Sequence, residues 1–183
     1  MTEKATFAAG CFWGVEAEFR QLPGVGATAV GYTGGTVPNA SYEQVCSGMT
    51  GHAEAVEVEF DPSEISYDEL LTKFWDVHNP TTRNRQGFDI GSQYRSGIFF
   101  HSPEQEAAAI RSRDELQSRS KKEIVTEITP APEFYLAEDY HQRYLEKRGR
   151  ASCTVQLQES LPEDEREGSE STRGTLARLL GRL

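Results

Sequence analysis

The sequence has few of the features that mark secreted, membrane-spanning or disulfide-stapled proteins. It contains only three cysteines in 183 residues, and no apolar run approaches the roughly 20 residues that span a bilayer. Its N-terminal residues lack a basic stretch followed by an apolar one, so no secretory signal is predicted. An odd, sparse set of cysteines in such a chain is typical of a reducing compartment. We therefore expect a cytoplasmic protein with no membrane span.

The chain also lacks the patterns that bind metals, phosphates or nucleic acids. Its four histidines are scattered and no two cysteines are closely spaced. No glycine motif of the phosphate-binding type lies between a predicted strand and a predicted helix. The formal net charge of -10 disfavours contact with a polyanion. We expect no metal, no cofactor and no nucleic-acid partner, and we expect the chain to act as a monomer.

Hydrophobic periodicity predicts one folded domain over residues 1–158. Strand patterns occupy 4–9, 26–32, 53–60, 94–100 and 124–129, and helical patterns occupy 13–22, 66–78, 102–118 and 137–147. Residues 83–92 are polar and glycine-bearing, which is typical of a loop. The strands at 26–32 and 53–60 have no helix between them. The pattern therefore predicts an α+β fold, a two-layer sandwich with a mixed β-sheet and a ferredoxin-like core.

Residues 159–183 differ in composition from this domain. Positions 159–170 carry six acidic residues and one basic residue, a composition typical of disorder. Positions 171–183 place leucines at helical spacing with arginines between them. This segment could be a short basic amphipathic helix that docks on a surface, or simply a solvated tail.

Cys11 lies between two glycines at a predicted strand-to-helix junction, in the stretch GCFWG at 10–14. Free backbone N–H groups and the positive end of the helix dipole would favour a thiolate there. Phe12 and Trp13 follow directly, and one or both could stay outside the core and form a pocket for a small apolar group. A free cysteine is also commonly buried and inert. From the residues alone, both interpretations stay open.

Glu54 lies on the apolar face of the predicted strand at 53–60, because side chains alternate along a strand. Burial of a carboxylate there costs free energy unless the group is paired with a partner, protonated or used in catalysis. Burial would raise its pKa and let it donate a proton near neutral pH. Alternatively, Glu54 reaches water at the strand end. Tyr94 shares a predicted strand face with Ile98 and could be an ordinary core tyrosine, and position alone assigns no role to Tyr42.

At these residues the sequence closely resembles the peptide methionine sulfoxide reductase A family. The matching blocks occur in the family's order over about residues 4–150. They are GCFWGVE (10–16), GYTGG (31–35), YEQVCSG (42–48), GHAEAV (51–56), QGFDIG (86–91), SQYRS (92–96) and AEDYHQ (137–142). One short block would be suggestive, whereas the ordered set is highly specific.

The resemblance implies a role for each residue of a catalytic site. Cys11 would be the nucleophile, and Glu54 the acid that protonates the sulfoxide oxygen. Tyr42 and Tyr94 would hydrogen-bond that oxygen. The substrate-binding residues would be Phe12 and Trp13 around the ε-methyl group, Asp89, and His141 in a block near the site. The family reduces the S epimer of methionine sulfoxide, free or in proteins, which repairs oxidised proteins.

The resemblance also implies how the enzyme is regenerated. Reduction leaves Cys11 as a sulfenic acid, a second thiol condenses with it, and thioredoxin reduces the resulting disulfide. Cys153 falls where the family commonly has the resolving cysteine, so we predict a Cys11–Cys153 disulfide that is reduced directly. The chain departs from the family here, because RGRASC (148–153) replaces the usual Asn-Pro and Gly-Tyr-Cys. Cys46 is expected to pack as a buried thiol.

Two other function classes compete with the reductase. A thiol hydrolase or acyl transferase would use Cys11 with His52 or His141 as the base. A redox-responsive binding module would grip oxidised partners with its aromatic pair and reduce nothing. An acid on the apolar strand face favours reduction, because a sulfoxide oxygen needs a proton donor. Turnover with dithiothreitol separates the enzyme from the binding module.

Overall fold

A computed structural model describes residues 1–150, with eight strands and five helices in that part of the chain. The strands are β1 (Glu3–Ala9), β2 (Val25–Thr33), β3 (Ala53–Phe60), β4 (Arg85–Gln86), β5 (Asp89–Ile90), β6 (Ser96–Phe100), β7 (Glu127–Pro130) and β8 (Tyr135–Leu136). The helices are α1 (Phe12–Arg20), α2 (Tyr42–Cys46), α3 (Tyr67–Asp76), α4 (Pro103–Arg119) and α5 (Tyr144–Lys147). Cys153 and the predicted tail at 159–183 lie outside the described residues.

Six strands form one mixed sheet in the order β7-β6-β1-β3-β2-β8. All neighbours pair antiparallel except β6 and β7, which are parallel. The chain passes through α1 between β1 and β2, and through α3 between β3 and β6. The predicted α+β class with a mixed sheet is confirmed.

The main core lies between one face of this sheet and the helices. Alternate residues of β3, namely Val56, Val58 and Phe60, are buried there with apolar side chains of α1, α3 and α4. The opposite face is covered near its centre by Ala131 and Phe134, which pack on a small cluster of β1, β3 and β6 residues. Both faces of central β3 are therefore shielded from water where Glu54 lies.

Two helices begin with capping boxes, which satisfy backbone groups left unpaired at a helix start. Ser66 accepts from the backbone N–H of Glu69 at the start of α3, where the helical pattern at 66–78 begins. Ser41 and Gln44 form the same motif at the start of α2. The short helix α2 was not predicted from the sequence, because five residues are too few to show a helical period.

Four predicted elements are wrong in extent or type. The strand predicted at 124–129 is β7, which covers Glu127–Pro130. The helix predicted at 137–147 is helical only over Tyr144–Lys147, because turns with i to i+3 bonds precede it and Arg143 is left-handed, at φ 54°. The strand predicted at 94–100 starts at Ser96, after a 3-10 turn over Ser92–Tyr94. The loop predicted at 83–92 contains the β4–β5 hairpin. Among the described residues, no helix has the length and apolar character to cross a membrane.

Candidate active site

Cys11 lies between β1 and α1, immediately before the first helical residue. Gly10 precedes it with φ at +93°, a conformation that L side chains rarely adopt. A Cβ atom at Gly10 would also lie 2.7 Å from the side chain of Gln86. Only glycine therefore fits the turn that presents Cys11, and it lets the segment carrying Gln86 pack directly beside the cysteine.

Burial and the helix start act on the Cys11 thiol in opposite directions. Burial and then the negative charge of Glu54 raise the pKa of Cys11 to about 12. The backbone N–H groups of Trp13 and Gly14 lower the pKa, as a helix N-terminus should, but they do not offset burial. The helix start thus acts on Cys11 in the expected direction, and burial of the thiol outweighs it.

Glu54 is buried on the apolar face of β3, with 2% of its surface exposed. Its Oε2 accepts a 3.1 Å hydrogen bond from the backbone N–H of Phe12, the first residue of α1. Burial raises the pKa of Glu54 to about 8, and the charge of Asp89 adds to the increase, while the Phe12 bond lowers it. The alternative of a carboxylate that reaches water is wrong. Glu54 is an acid that can keep its proton at neutral pH.

The hydroxyl groups of Tyr42 and Tyr94 lie near Glu54, and the two tyrosines belong to different elements. Tyr42 is the first residue of α2, and Tyr94 ends the 3-10 turn before β6. Burial raises the pKa of both hydroxyls, and the charge of Glu54 contributes to each. Both tyrosines are therefore hydrogen-bond donors at any physiological pH.

Cys46 lies one helical turn after Tyr42 on α2, and its thiol is paired with the Tyr42 hydroxyl. The side chain is exposed, so the expectation of a buried packing thiol is wrong. The charge of Cys46 would also act on the Tyr94 hydroxyl. Cys46 thus borders the tyrosine pair and does not belong to the core.

Phe12 and Trp13 lie in different environments, although they are adjacent in sequence. Phe12 is in the main core, and its ring centre lies 5.2 Å from that of His141. Trp13 is half-buried; its indole N–H donates a 2.9 Å hydrogen bond to Nδ1 of His141, and its ring stacks on Tyr144 at 3.7 Å. The guanidinium of Arg148 lies 4.3 Å from the centre of the Tyr144 ring. Trp13 is the aromatic side chain that can face a ligand beside Cys11.

The two histidines considered as bases have their acceptor nitrogens occupied. Nδ1 of His52 accepts from the Gly35 N–H at 3.0 Å, and Nε2 donates to the Val37 carbonyl at 2.7 Å. Nδ1 of His141 accepts from Trp13, so a neutral ring carries its proton on Nε2. A thiol hydrolase needs a basic nitrogen at Cys11, and neither ring offers one.

Asp89 lies on β5 of the small hairpin. Its charge raises the pKa of Cys11 and of Glu54, so Asp89 lies near both groups. Burial raises the pKa of Asp89 itself. The described part of the chain thus brings together most of the predicted site residues, on α1, β3, α2, the 3-10 turn and the hairpin.

Glu138 is a supporting residue that sequence reasoning missed. Its Oε2 accepts from the Tyr32 hydroxyl at 2.8 Å, and its Oε1 accepts from the backbone N–H of Tyr42 at 2.9 Å. The carboxylate thereby fixes the first residue of α2 against β2. Glu138 belongs to the block at 137–142, but the helix predicted for that segment concealed the contacts of its side chain. Tyr144 was missed for the same reason.

Comparison with known proteins then identifies the family. Residues 3–172 match the family model for peptide methionine sulfoxide reductase. A curated relative from Methanosarcina acetivorans, the peptide methionine sulfoxide reductase MsrA, is 62% identical over 149 residues, which cover 80% of this chain and 79% of the relative.

This chain belongs to the peptide methionine sulfoxide reductase family. Solved structures agree with that assignment. Yeast Mxr1 in its reduced form is 39% identical, with a TM-score of 0.76 over 81% of this chain and 86% of the yeast chain. Mxr1 has also been solved in complex with Trx2, at 28% identity and a TM-score of 0.56 over 78% of this chain and 84% of that one.

As a member of the peptide methionine sulfoxide reductase family, the chain is an enzyme that reduces methionine sulfoxide. The acid, the thiol and the tyrosine hydroxyls described above suit that chemistry. Within residues 1–150, no group of three or more His, Cys, Asp or Glu side chains could hold a metal ion.

Proposed function

We propose that Cys11 attacks the sulfur of the sulfoxide while Glu54 supplies a proton to its oxygen. The observation that carries this assignment is the buried carboxyl group of Glu54, which is held at the helix start that follows Cys11. Glu54, with a pKa of about 8, is bonded to the residue that follows Cys11. Proton transfer to the oxygen weakens the S–O bond as the Cys11 sulfur approaches.

The overall step balances without any further reactant. The sulfoxide and the Cys11 thiol give methionine and a Cys11 sulfenic acid, so the oxygen and the thiol proton both end on Cys11. Proton transfers through Glu54 leave that residue in its starting form. The raised pKa of Cys11 is compatible with this order, because the thiol can lose its proton as the sulfoxide oxygen gains one.

The remaining site residues bind and orient the sulfoxide group. Tyr42 and Tyr94 donate hydrogen bonds to its oxygen, where negative charge would otherwise build up. Trp13 forms the wall against the ε-methyl group, with Phe12 behind it in the core. His141 acts through Trp13, whose indole it holds by a 2.9 Å hydrogen bond. Asp89 borders the pocket from the hairpin, and the S epimer is the expected substrate.

Regeneration uses a Cys11–Cys153 disulfide that thioredoxin reduces. Arg150 and Trp13 line the same cavity of about 280 Å³ along α1 and α5. Cys153 follows Arg150 by three residues, and three extended residues span about 10 Å. Cys153 can therefore lie at most about that far from Arg150. The complex of Mxr1 with Trx2 supports a thioredoxin as the reductant. The enzyme needs no bound cofactor in this scheme. Its catalytic domain covers residues 1–158, and it acts in the cytoplasm.

Counting thiols after one turnover tests this scheme. The wild type, without reductant, should release about one methionine per chain and lose two thiols. Cys153→Ser should release the same amount of methionine but lose one thiol, and Cys11→Ser should release none. Mass spectrometry of the oxidised wild type should find residues 11 and 153 joined.

Recycling by thioredoxin provides the second measurement. Cys153→Ser should turn over with dithiothreitol and stop after one turnover with thioredoxin, whereas Cys46→Ser, the matched control, should turn over with both. Full thioredoxin-dependent turnover in Cys153→Ser would instead assign the resolving role to Cys46.

A further inference from the structure

Both methionines of the chain lie on its surface. The sequence contains two; Met49 is 87% exposed, and Met1 is exposed as well. Methionine is among the residues most often buried in folded proteins, where its flexible thioether fills gaps in a core. Neither of the two buried clusters within residues 1–150 includes a methionine. An oxidant therefore reaches both methionine sulfurs without any opening of the core.

Met49 belongs to an exposed turn after α2. Four consecutive residues, 46–49, are exposed, and the chain becomes buried again at Thr50. Gly48 lies in the left-handed region at φ +74°, and a Cβ atom there would have no neighbour within 4 Å. The side chain of Met49 and the backbone before it are therefore accessible to another molecule while the protein stays folded.

The turn is held at both of its ends. The carboxylate of Glu138 accepts from the backbone N–H of Tyr42 at 2.9 Å, at the start of the helix that precedes the turn. The backbone N–H of Thr36 donates to the carbonyl of Thr50 at 3.0 Å, directly after Met49. At 87% exposure the Met49 side chain is outside its own catalytic pocket. Because the turn is fixed, a second copy of the chain is the molecule whose pocket can take up Met49.

We propose that Met49 is an oxidation site of this enzyme and that a second copy of the chain reduces its S-sulfoxide. The proposal rests on the pocket and the epimer assigned above, and it adds the enzyme itself as a substrate. A methionine sulfoxide in a protein must leave its own surface to enter the pocket. Met49 meets this condition without local unfolding, because its side chain has little contact with its own chain.

The cycle balances with hydrogen peroxide as the oxidant and a dithiol as the reductant. Peroxide transfers one oxygen to the Met49 sulfur and leaves as water. Cys11 of the second copy takes that oxygen as a sulfenic acid and releases Met49 as the thioether. A second thiol condenses with the sulfenic acid, the oxygen leaves as water, and dithiol exchange restores Cys11. One peroxide and one dithiol thus give two waters and one disulfide, and both copies return to their starting form.

A labelled, inactive chain tests the transfer between copies. Cys11→Ser is prepared with heavy nitrogen, oxidised with hydrogen peroxide, reduced with dithiothreitol and desalted. It is then mixed with unlabelled wild type and dithiothreitol. The tryptic peptide 21–73 contains Met49 and no other methionine. Fragment masses of the labelled peptide therefore report the oxygen on this one sulfur.

About half of the labelled Met49 sulfoxide should be reduced, because peroxide forms both epimers in similar amounts and one enzyme acts on only one of them. The initial rate should double when the concentration of wild type is doubled. Dithiothreitol without wild type should leave the sulfoxide unchanged. The oxidised chain should unfold at the temperature of the untreated chain, since no buried methionine is affected.

Met49→Leu/Leu70→Met is the matched control, because Leu70 is buried and lies in the same tryptic peptide. Leucine and methionine have similar volumes, so the core should tolerate the exchange. The methionine introduced at position 70 should gain oxygen about tenfold more slowly than Met49 does in the wild type, because its sulfur is reached only when the fold opens. The single variant Met49→Leu should keep the wild-type kcat and KM for N-acetyl-methionine sulfoxide.

Three outcomes would overturn the proposal. The first is no gain of oxygen at Met49 under conditions that oxidise N-acetyl-methionine. The second is a labelled sulfoxide that persists while the wild type reduces N-acetyl-methionine sulfoxide. The third is repair of oxidised wild type with a half-time that does not change on tenfold dilution, which would assign the reaction to the chain's own pocket. Failure to reduce the N-acetyl substrate would contradict the proposed pocket itself, so the two failures are distinguishable.

Discussion

The backbone N–H of Phe12 donates a 3.1 Å hydrogen bond to the Glu54 carboxyl group. The acid of β3 is thereby held by the first residue of the helix that begins after Cys11. A backbone donor cannot rotate away as a side chain can, so the distance between acid and nucleophile is set by the packing of α1 on the sheet. The predictions below start from this arrangement.

Glu54→Gln should lower the rate of methionine release in a single turnover by about 10²- to 10⁴-fold, because the amide can hydrogen-bond but cannot donate a proton in the reaction. Glu57→Gln is the matched control, since Glu57 lies on the other face of β3 and pairs with Lys4. Its rate should be unchanged. An unchanged rate in Glu54→Gln would exclude Glu54 as the acid.

The pH dependence of unfolding should reflect the buried Glu54. Its pKa is raised from 4.5 to about 8 in the folded protein, so the folded state binds the proton more tightly than the unfolded chain. The stability that this gives is complete below about pH 4.5 and is lost as the pH rises through 8. Between these two pH values, the free energy of unfolding of the wild type should fall by on the order of a few kcal/mol more than that of Glu54→Gln. Urea unfolding of both proteins at pH 5 and pH 8.5 measures the difference, and parallel curves would contradict it.

Tyr42→Phe and Tyr94→Phe should each lower kcat about tenfold, the cost of one lost hydrogen bond to the oxygen. The double variant should lose more than either single one. Tyr67→Phe serves as control, because its hydroxyl is buried in the main core region with no hydrogen-bond partner in the described chain. Its turnover should match the wild type. Loss of activity in the control equal to that in the site variants would indicate general damage to packing.

Tyr144→Leu should raise the KM for N-acetyl-methionine sulfoxide about five- to tenfold, because Trp13 loses the ring on which it stacks. Tyr144→Phe keeps the ring and should restore the wild-type KM. An equal rise in KM in both variants would show that the Tyr144 hydroxyl, and not the stacking of its ring on Trp13, supports substrate binding. Steady-state kinetics with dithiothreitol distinguish these results.

Much of the fold follows from local patterns in the sequence. The alternation over 53–60 predicts β3 to the residue and places Glu54 on its apolar face, but it leaves open whether Glu54 reaches water, which the structure decides against. The capping box at Ser66 predicts the start of α3. These elements are predictable because the hydrophobic periodicity or the capping residues that indicate them lie within the segment itself.

The elements that sequence reasoning missed depend on contacts between distant segments. Residues 138–143 have helix-compatible side chains, yet Gln142 bonds to the backbone of Val30, and the carboxylate of Glu16 accepts from the N–H of Arg143 at 2.8 Å. Those partners stop the segment from continuing as a helix. The raised pKa of Cys11 has a similar origin, because its causes, burial and then the charge of Glu54 on another strand, come from distant segments that no helix-terminus argument includes.

The stack of Trp13 on Tyr144 has an optical consequence. The chain has two tryptophans, and the other, Trp75, is held between α3 and α4 by a 2.7 Å hydrogen bond to Ser112. Any event that moves α5 away from α1 changes the surroundings of Trp13 while those of Trp75 stay constant. Intrinsic fluorescence can therefore follow the closing and opening of this contact in real time, with no label attached to the protein.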